Sequence, residues 1–266
     1  MISPLRYPGG KSRAKKRILS RIPLGVKEYR EPFVGGGSIF LGLAERSPET
    51  SIWINDLNPQ VYHFWLGVQC FKKDIVREVR RIKRHETNGR DLFERLKAQD
   101  ESTLSCAGRA VRFFVLNRIT FSGTIEAGGY SESAFRDRFT ESSINRLEKL
   151  DLQGIKITGV GCSQTIARPG KGVFLFLDPP YFSNQKSKLY GRGGKYHEFD
   201  HEGLARSLKD SPHDWLLTLD DCPEVREMYS WANIQEWELQ YGMNNYQQKK
   251  AKPGAELFIS HEGHAR

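Results

Sequence analysis

Residues 173–181 read VFLFLDPPY, and this stretch is the sharpest signal in the sequence. A continuous apolar run is typical of a strand buried inside a parallel sheet, and such sheets bind ligands beyond the carboxyl ends of their strands. The two prolines stiffen the turn that follows. Asp178 and the Pro179 carbonyl can then accept the two N–H groups of a planar amine, while the ring of Tyr181 stacks on it. An ordinary proline turn with a capping aspartate is the alternative.

The amino-terminal part of the chain predicts a nucleotide-binding unit. We expect a strand over 28–34, a helix over 38–46 and another strand over 51–54. Between the first strand and the helix, the glycines at 35–37 let a cofactor approach the backbone. Asp56 stands about twenty residues further on, where such units carry the acid that holds ribose hydroxyls. The glycine turn fits neither GxGxxG nor the GxxxxGK[ST] pattern.

The remaining pattern divides the chain into two parts. Residues 59–150 are predicted to form a mainly helical insertion, with helices over 62–71, 72–86, 91–98, 108–118 and 141–150 and a glycine-rich loop over 122–133. A helix is also expected over 13–21. The α/β alternation returns with strands over 155–160, 173–177, 215–219, 234–239 and 256–260, the last two antiparallel, and helices over 201–209 and 223–231. We therefore expect an α/β fold whose catalytic domain comprises residues 1–58 and 151–266.

Composition narrows the class of partner and the compartment. The 266 residues include 41 lysines and arginines against 32 aspartates and glutamates, and the net charge of +9 favours nucleic acid as the partner. No apolar run approaches the ~18 residues of a membrane span, and no export signal follows Met1, so we expect a cytoplasmic protein. The four cysteines are scattered without nearby histidines, which argues against a metal site and a disulfide framework.

Two further motifs contain residue types that bind ligands. Residues 6–11 read RYPGGK near the amino terminus, and residues 117–123 read NRITFSG at the end of a predicted helix. Taken alone, the first motif is equally well explained as a flexible basic tail. The second is equally well explained as a capped helix end that enters a loop.

Together and in this order, the motifs resemble the Dam-type adenine-specific DNA methyltransferases of the alpha arrangement. The shared features are a (W/Y)xGGK segment, an EPFxGxGS segment, a second strand that ends in an acid, a helical insertion with NRxxFxG, and DPPY. The resemblance continues at Phe199-Asp200-His201 with Leu204, which is similar to the family's DHxxL helix start, and at the closing strand of residues 252–257. It covers nearly the whole chain.

The resemblance implies a Rossmann-like, mostly parallel, seven-stranded sheet with a helical DNA-recognition insertion over residues 59–150. It also implies S-adenosyl-L-methionine as the methyl donor and transfer to the 6-amino group of adenine in double-stranded DNA. By position in the motifs, the catalytic residues are Asp178, Pro179, Tyr181 and Lys11. The implied cofactor site comprises Tyr7, Lys11, Glu31, Phe33, Gly35, Gly37, Asp56 and Asp178.

These residue types suit that chemistry. The exocyclic amine of adenine is a poor nucleophile because its lone pair is delocalised into the ring. Hydrogen bonds to Asp178 and to the Pro179 carbonyl would favour a pyramidal nitrogen whose lone pair points at the methyl group. Positioning and electrostatics then suffice, without a covalent intermediate or a metal. Within a duplex, the adenine must first flip out of the stack.

The insertion is expected to contact DNA. Its cation-rich stretch over 72–84 would run along phosphates, with a solvated helix face as the alternative, and the loop over 121–133 would read bases in a groove. The residues expected at the DNA are Arg118, Ser122, Gly128 and Tyr130. The chain departs from the family at Ser163-Gln164, where many relatives have an acid before an aromatic residue, and at Ser122, where relatives often have asparagine.

Other functions stay open at this point. The charge balance cannot distinguish RNA from DNA, so an RNA adenine methyltransferase is one alternative. A catalytically dead DNA-binding module of the same fold is another, although the intact DPPY, Asp56 and glycine turn argue against it. The sequence determines neither the recognition site, for which GATC is a family-level guess, nor a restriction-modification partner. We expect a monomer.

Overall fold

One sheet organises the protein. The computed structural model describes residues 1–7, 9–125, 128–184, 199–239 and 254–261. In these residues the strands are β1 (Glu28–Glu31), β2 (Ser51–Asn55), β3 (Lys156–Thr158), β4 (Val173–Leu177), β5 (Asp214–Asp220), β6 (Asn233–Leu239) and β7 (Gly254–Ser260). They form a seven-stranded sheet of order β3-β2-β1-β4-β5-β7-β6. Only β7 pairs antiparallel, with β5 and β6, so the predicted mostly parallel sheet is confirmed.

Strands β1 and β4 mark the point where the strand order reverses. From β1 the chain moves outward to β2 and β3, and it then returns to β4 on the other side of β1. Glu28 of β1 therefore pairs with both Ser51 of β2 and Val173 of β4. The crevice beyond the carboxyl ends of the strands at such a switch point is where α/β sheets bind ligands.

Strand β4 is buried on both faces. Val173, Leu175 and Leu177 pack on one side of the sheet, and Phe174 and Phe176 pack on the other. Successive side chains of a strand point to opposite faces, and helices cover both faces of a parallel sheet. The run VFLFL therefore needs no polar residue, as predicted.

The helices agree with the predicted pattern except at their ends and in two short elements. They are α1 (Lys15–Leu19), α2 (Ser38–Arg46), α3 (Pro59–His85), α4 (Gly89–Ala98), α5 (Cys106–Ile119), α6 (Glu132–Asp137), α7 (Glu141–Glu148), α8 (Cys162–Ala167), α9 (His201–Lys209) and α10 (Pro223–Met228). The sequence pattern does not predict α6 or α8. The strand predicted over 28–34 ends at Glu31, since Pro32 has no N–H for the ladder. No helix in the described ranges is long and apolar enough to cross a membrane.

Helix α3 joins the helical segment to the sheet. The sequence predicts two helices that meet between residues 71 and 72. In the structure α3 runs through this point but has a kink at Phe71, where φ is −131° and ψ is 25°. Before this kink, Phe64 and Trp65 belong to the same hydrophobic cluster as Tyr29 of β1. The helical segment therefore shares a core with the sheet, and its division from the rest as a domain stays a prediction.

Candidate active site

Acidic side chains collect at the carboxyl ends of the central strands. Glu31 ends β1, Asp56 follows β2, Asp178 follows β4 and Asp220 ends β5. Because these strands are parallel, their carboxyl ends meet along one edge of the sheet. Strand β7 runs the opposite way, and the pairing of its Glu256 with Asp220 brings a further acid to this edge.

Lys11 contributes a positive charge to the same edge. Its Nζ lies 2.7 Å from Asp178 Oδ1, 2.7 Å from the Tyr181 hydroxyl and 4.0 Å from Glu256 Oε2. The lysine is only 3% exposed, so these contacts replace the water that normally surrounds an ammonium group. The RYPGGK segment is therefore tied to the DPPY turn and is not a loose tail.

Asp178 is oriented by two donors on one oxygen. Its Oδ1 accepts from Lys11 and, at 2.9 Å, from the hydroxyl of Thr218 on β5. No donor from the described residues lies on Oδ2. Sequence reasoning missed Thr218, and the available signal was a hydroxyl inside an otherwise apolar, fully buried strand interior.

Asp220 orients the chain that follows the DPPY turn. Its two carboxylate oxygens accept from the backbone N–H groups of Phe182 and Ser183, each at 2.9 Å. The turn that carries Tyr181 is therefore anchored on β5 as well as on Lys11. The sequence analysis did not select Asp220, although an acid at the end of an apolar strand is the same signal that selected Asp178.

Glu256 is buried beside Lys11 and was also missed as a site residue. It is 1% exposed, and burial raises the pKa of Glu256 to about 7 against the opposing effects of Lys11 and Tyr181. The resemblance places this glutamate in the closing motif, but only the antiparallel course of β7 brings it to the site. Lys252 and Pro253 of that motif lie outside the described residues.

The glycine turn after β1 is shaped by its own backbone and by Tyr7. Gly35 and Gly37 have φ of +43° and +70°, a region that favours glycine. A Cβ on Gly35 would lie 2.7 Å from Cε1 of Tyr7, so the tyrosine ring packs directly on the turn. A Cβ on Gly37 would lie 2.5 Å from Trp65 of α3. These positions therefore accept glycine only, and Tyr7 forms one wall of the predicted cofactor loop.

Asn55 and Asp56 hold the turns around this space. Asp56 Oδ2 accepts from the N–H of Gly35 at 2.9 Å, and burial raises the pKa of Asp56 to about 6. Asn55 is 1% exposed, and its Nδ2 donates to the carbonyls of Pro32 and Val160. Asn55 therefore joins the turns that follow β1 and β3. Sequence reasoning missed it, although a polar side chain at the end of an apolar strand signals such a role.

Glu31 adds to the negative charge of the site. It accepts from the hydroxyl of Tyr29 at 2.7 Å. Burial raises the pKa of Glu31 to about 8, the hydrogen bond from Tyr29 lowers it, and the charge of Asp178 raises it further. Nearby, Phe33 packs edge-to-face on Phe199, with ring centroids 5.5 Å apart. Among the described residues at this edge, the acids outnumber the lysine, so a bound cation would relieve their repulsion.

Comparison with known proteins identifies the family to which the chain belongs. A family profile described as D12 class N6 adenine-specific DNA methyltransferase matches residues 7–243. The chain belongs to this family. The expectation that the protein is an adenine-specific DNA methyltransferase is thereby confirmed.

The methyltransferase is also similar to individual proteins at low identity. It is 22% identical to the "Type II methyltransferase M1.LlaDCHI" of Lactococcus lactis subsp. cremoris, over 86% of this chain and 84% of that protein. It is 22% identical to a "DNA adenine methylase" of Vibrio cholerae, over 86% of this chain and 85% of that protein. The "DNA N-6-adenine-methyltransferase" of Escherichia phage P1 is 24% identical over 85% of this chain and 31% of its own length.

In this methyltransferase, Arg118 is buried and hydrogen-bonded within the protein, so it is not placed for the expected contact with DNA. It is 6% exposed, and its Nε and Nη2 donate to the carbonyl of Arg138 at 2.8 and 2.6 Å. Its Nη1 donates to the carbonyl of Pro4 at 3.2 Å. Three guanidinium donors are thus used inside the protein, where they join α5 to the amino-terminal segment and to the chain after α6.

Asn117, the other polar residue at this helix end, ties the amino terminus to the NRITFSG loop. Its side chain exchanges two hydrogen bonds with the backbone of Arg6, at 2.9 and 2.6 Å, and donates to the carbonyl of Gly123. Arg6 begins the segment that ends at Lys11. The predicted DNA-reading loop and the DPPY turn are therefore connected through this short segment.

The other residues expected at the DNA lie on or near that loop. Ser122 has φ of +54°, which is strained for a residue with a side chain. Gly128 has no room for a Cβ, which would meet the Thr124 hydroxyl at 2.1 Å. Tyr130 is half-buried, bridges to Thr120 and donates its hydroxyl to Glu132. Phe121, which the sequence analysis did not select, is 53% exposed.

Three arginines in the cation-rich part of α3 are paired with acids of the methyltransferase. Arg77 pairs with Asp74, and Arg81 pairs with Glu78, each one turn away on the same helix. Arg80 pairs with two acids of α7, Glu141 and Glu148. This arrangement agrees with the alternative of a solvated helix face more closely than with the predicted track for phosphates.

Proposed function

We propose that this enzyme transfers the methyl group of S-adenosyl-L-methionine to the 6-amino group of an adenine flipped out of double-stranded DNA. The observation that carries the proposal is the fixed Asp178 at the switch point of the sheet. Lys11 and Thr218 hold its Oδ1 at 2.7 and 2.9 Å. The DPPY turn thereby presents a carboxylate, a carbonyl and an aromatic ring in one place.

The amine is bound by acceptors in this proposal. One N–H of the amine donates to Asp178 Oδ2 and the other to the carbonyl of Pro179. Two such bonds disfavour the planar, delocalised amine and turn its lone pair toward the methyl group. The ring of Tyr181 stacks on the adenine, and the bond from Lys11 to its hydroxyl limits rotation of that ring. Asp178, Pro179, Tyr181 and Lys11 are therefore the proposed catalytic residues.

The buried carboxyl groups of the site fit a positively charged cofactor. Burial raises the pKa values of Glu31 and Asp56 to about 8 and about 6, so both carboxyls lack charge compensation in the free protein. S-Adenosyl-L-methionine supplies a sulfonium centre from which a methyl group is readily displaced. Its positive charge would favour the ionised acids. The residues proposed to hold it are Tyr7, Lys11, Glu31, Phe33, Gly35, Gly37, Asp56 and Asp178.

DNA would approach from the side of the NRITFSG loop. Phe121 is exposed and offers an aromatic face to bases. Ser122 follows it in the chain, and the N–H of Phe121 donates to the carbonyl of Gly129 at 3.0 Å, which brings the loop tip with Gly128 and Tyr130 beside it. Asn117 anchors the loop to the amino-terminal segment. Base reading is proposed for this loop. The expected monomer and the cytoplasmic location stay predictions.

Labelled methyl transfer tests the proposal. Unmethylated duplex DNA, single-stranded DNA and RNA are each incubated with labelled S-adenosyl-L-methionine and the enzyme, and the products are digested to nucleosides. We expect 6-methyladenine from duplex DNA only, and none with Asp178→Ala. Product from RNA alone would favour the RNA alternative. Duplex binding without transfer to any substrate would favour the dead DNA-binding module.

A further inference from the structure

Four arginines from separate parts of the chain interact electrostatically next to the NRITFSG loop, with Arg118 as the residue that the other three affect. Arg6 belongs to the amino-terminal segment, Arg118 to the end of α5, Arg138 to the chain after α6 and Arg146 to α7. Arg118 donates to the carbonyl of Arg138, and Arg6 Nη1 donates to the carbonyl of Thr120 at 3.2 Å. We call these four residues the arginine cluster.

The arginine cluster lacks compensating acids. Burial lowers the pKa of Arg118 to about 9, and the charged groups that lower it further are all arginines, namely Arg6, Arg146 and Arg138. Burial and the charge of Arg138 also lower the pKa of Arg6. Among the described residues, none of the four forms an ion pair with a carboxylate. The fold therefore holds like charges together at a cost that a bound anion would remove.

Three arginines of α3 differ from the arginine cluster because each has an acidic partner. Arg77, Arg80 and Arg81 are exposed or partly exposed, and each has a carboxylate within 2.7 Å. In the arginine cluster, by contrast, Arg138 and Arg146 are exposed and Arg6 is partly exposed above the buried Arg118. A polyanion binds most strongly to cations that are unpaired, because no ion pair within the protein must first be broken.

The location of the arginine cluster favours the phosphates of the DNA substrate as the bound anion. Arg6 and Arg118 are bonded to the backbone on either side of the loop that starts at Phe121. The segment from Arg6 leads directly to Lys11, which contacts Asp178. An anion bound at the arginine cluster would thus lie beside the DNA-reading loop, and the segment from Arg6 to Lys11 would connect it to the DPPY turn.

We propose that Arg6, Arg138 and Arg146 bind backbone phosphates of the DNA strand near the target adenine, with Arg118 as the buried residue that holds this surface together. The inference rests on the proposed function, because it takes duplex DNA as the substrate. It replaces direct contact by Arg118 with contact by its exposed neighbours. It also moves the main phosphate contact away from the cation-rich helix α3.

The test compares two pairs of arginines. Arg138→Gln/Arg146→Gln removes two exposed, unpaired cations, and Arg77→Gln/Arg81→Gln removes two exposed, paired ones. Binding of a fluorescent duplex is measured by anisotropy over about 50 to 200 mM salt. For the first double variant we expect affinity weaker by on the order of tenfold to a hundredfold, with the salt slope reduced by about 0.9 per lost contact. The second should leave the slope unchanged.

Further measurements separate failure of this inference from failure of the proposed function. Cofactor affinity should be unchanged in both double variants. The melting temperature should not fall in the arginine-cluster variant, which loses repulsion, and should fall at most slightly in the α3 variant, which loses two surface ion pairs. Arg138→Lys/Arg146→Lys should restore most of the slope. If wild type methylates duplex DNA but the arginine-cluster double variant keeps the wild-type slope and affinity, the inference is overturned and the proposed function stands. If wild type neither binds nor methylates duplex DNA, the proposed function fails first.

Discussion

The sheet edge and the arginine cluster carry unbalanced charge of opposite sign. At the edge, burial raises the pKa values of Glu31, Asp56 and Glu256, with Lys11 as the cation among them. In the cluster, burial and mutual repulsion lower the pKa of Arg118. Each region is destabilised by charge that its own side chains do not cancel. The sign of each surplus matches one substrate, a sulfonium for the acids and a phosphate chain for the arginines.

The two regions are also physically continuous, since Arg6 and Lys11 lie on one short segment. Asn117 binds the backbone of Arg6 at one end, and Asp178 binds the side chain of Lys11 at the other. The comparison predicts that unpaired charge, more than charge density, marks the binding surfaces of this protein.

The largest expected effect is at Asp178. Asp178→Ala removes the proposed acceptor for the amine and a partner of Lys11, so we expect methyl transfer to fall by about a thousandfold or more. Thr218→Val is the matched control, because it removes one hydrogen bond to the same oxygen and leaves the carboxylate, and about a tenfold loss is expected. Initial rates and thermal unfolding measure both. Substantial transfer by a folded Asp178→Ala enzyme would remove the catalytic role.

Replacement of Asp56 should weaken cofactor binding more than it slows methyl transfer. Asp56→Ala removes the proposed ribose partner and the acceptor for the Gly35 N–H, and we expect S-adenosyl-L-methionine to bind on the order of tenfold to a hundredfold more weakly. Calorimetry measures the affinity, and the rate at saturating cofactor serves as the control. Unchanged affinity would contradict the ribose assignment.

Cofactor affinity should rise with pH. The pKa values of Glu31 and Asp56 are about 8 and about 6, and a cation favours their ionised forms, so protons must leave when it binds. Below each pKa, affinity should increase by up to about tenfold per pH unit, and it should level off above pH 8. S-Adenosyl-L-homocysteine, which lacks the sulfonium charge, should show a flatter profile. Identical profiles for the two ligands would exclude the charge-matching explanation.

Glu256 should produce a smaller effect that depends on pH. Above its pKa of about 7 the carboxylate is ionised and stabilises the ammonium of Lys11, whereas below it the neutral acid does not. We expect the wild-type rate to fall several-fold as pH drops through this range, and Glu256→Gln to abolish that inflection. Glu236→Gln, on the outer strand β6, is the control and should keep it. An unchanged inflection in Glu256→Gln would exclude this role.

The smallest effect on DNA is expected at Arg80. Its guanidinium is bound by Glu141 and Glu148, so Arg80→Ala should lower the melting temperature slightly and leave the salt dependence of DNA binding unchanged. A salt slope reduced as much as in Arg138→Gln would show that paired cations also contact phosphate. The comparison between the two basic surfaces would then fail.

Much of the fold and the centre of the site could be predicted from the chain itself. The buried strand before Asp178, the glycine turn after β1 and the spacing to Asp56 are local patterns, because periodicity and turn chemistry act over a few residues. The motif order added Tyr7 and Lys11. The structure brings these residues to one edge, with Lys11 in contact with Asp178 and Tyr7 packed on the glycine turn.

What the sequence could not determine is which charges meet. Arg118 looked like a DNA contact until its donors were found on the carbonyls of Pro4 and Arg138. For the cations of α3 the sequence left a phosphate track and a solvated helix face open, and it could not show that Arg80 pairs with Glu141, which lies 61 residues further along the chain.

The strand–turn chemistry, the family and the residues of the DPPY site could therefore be inferred from the chain alone, since these depend on neighbours in the chain. Thr218, Asp220 and Glu256 reach the acidic edge through the fold alone, because β5 and the antiparallel β7 bring them there. The fold also pairs Arg77, Arg80 and Arg81 of α3 with acids, whereas among the described residues no member of the arginine cluster has such a partner. Electrostatic pairing depends on distance in space, which no local pattern encodes.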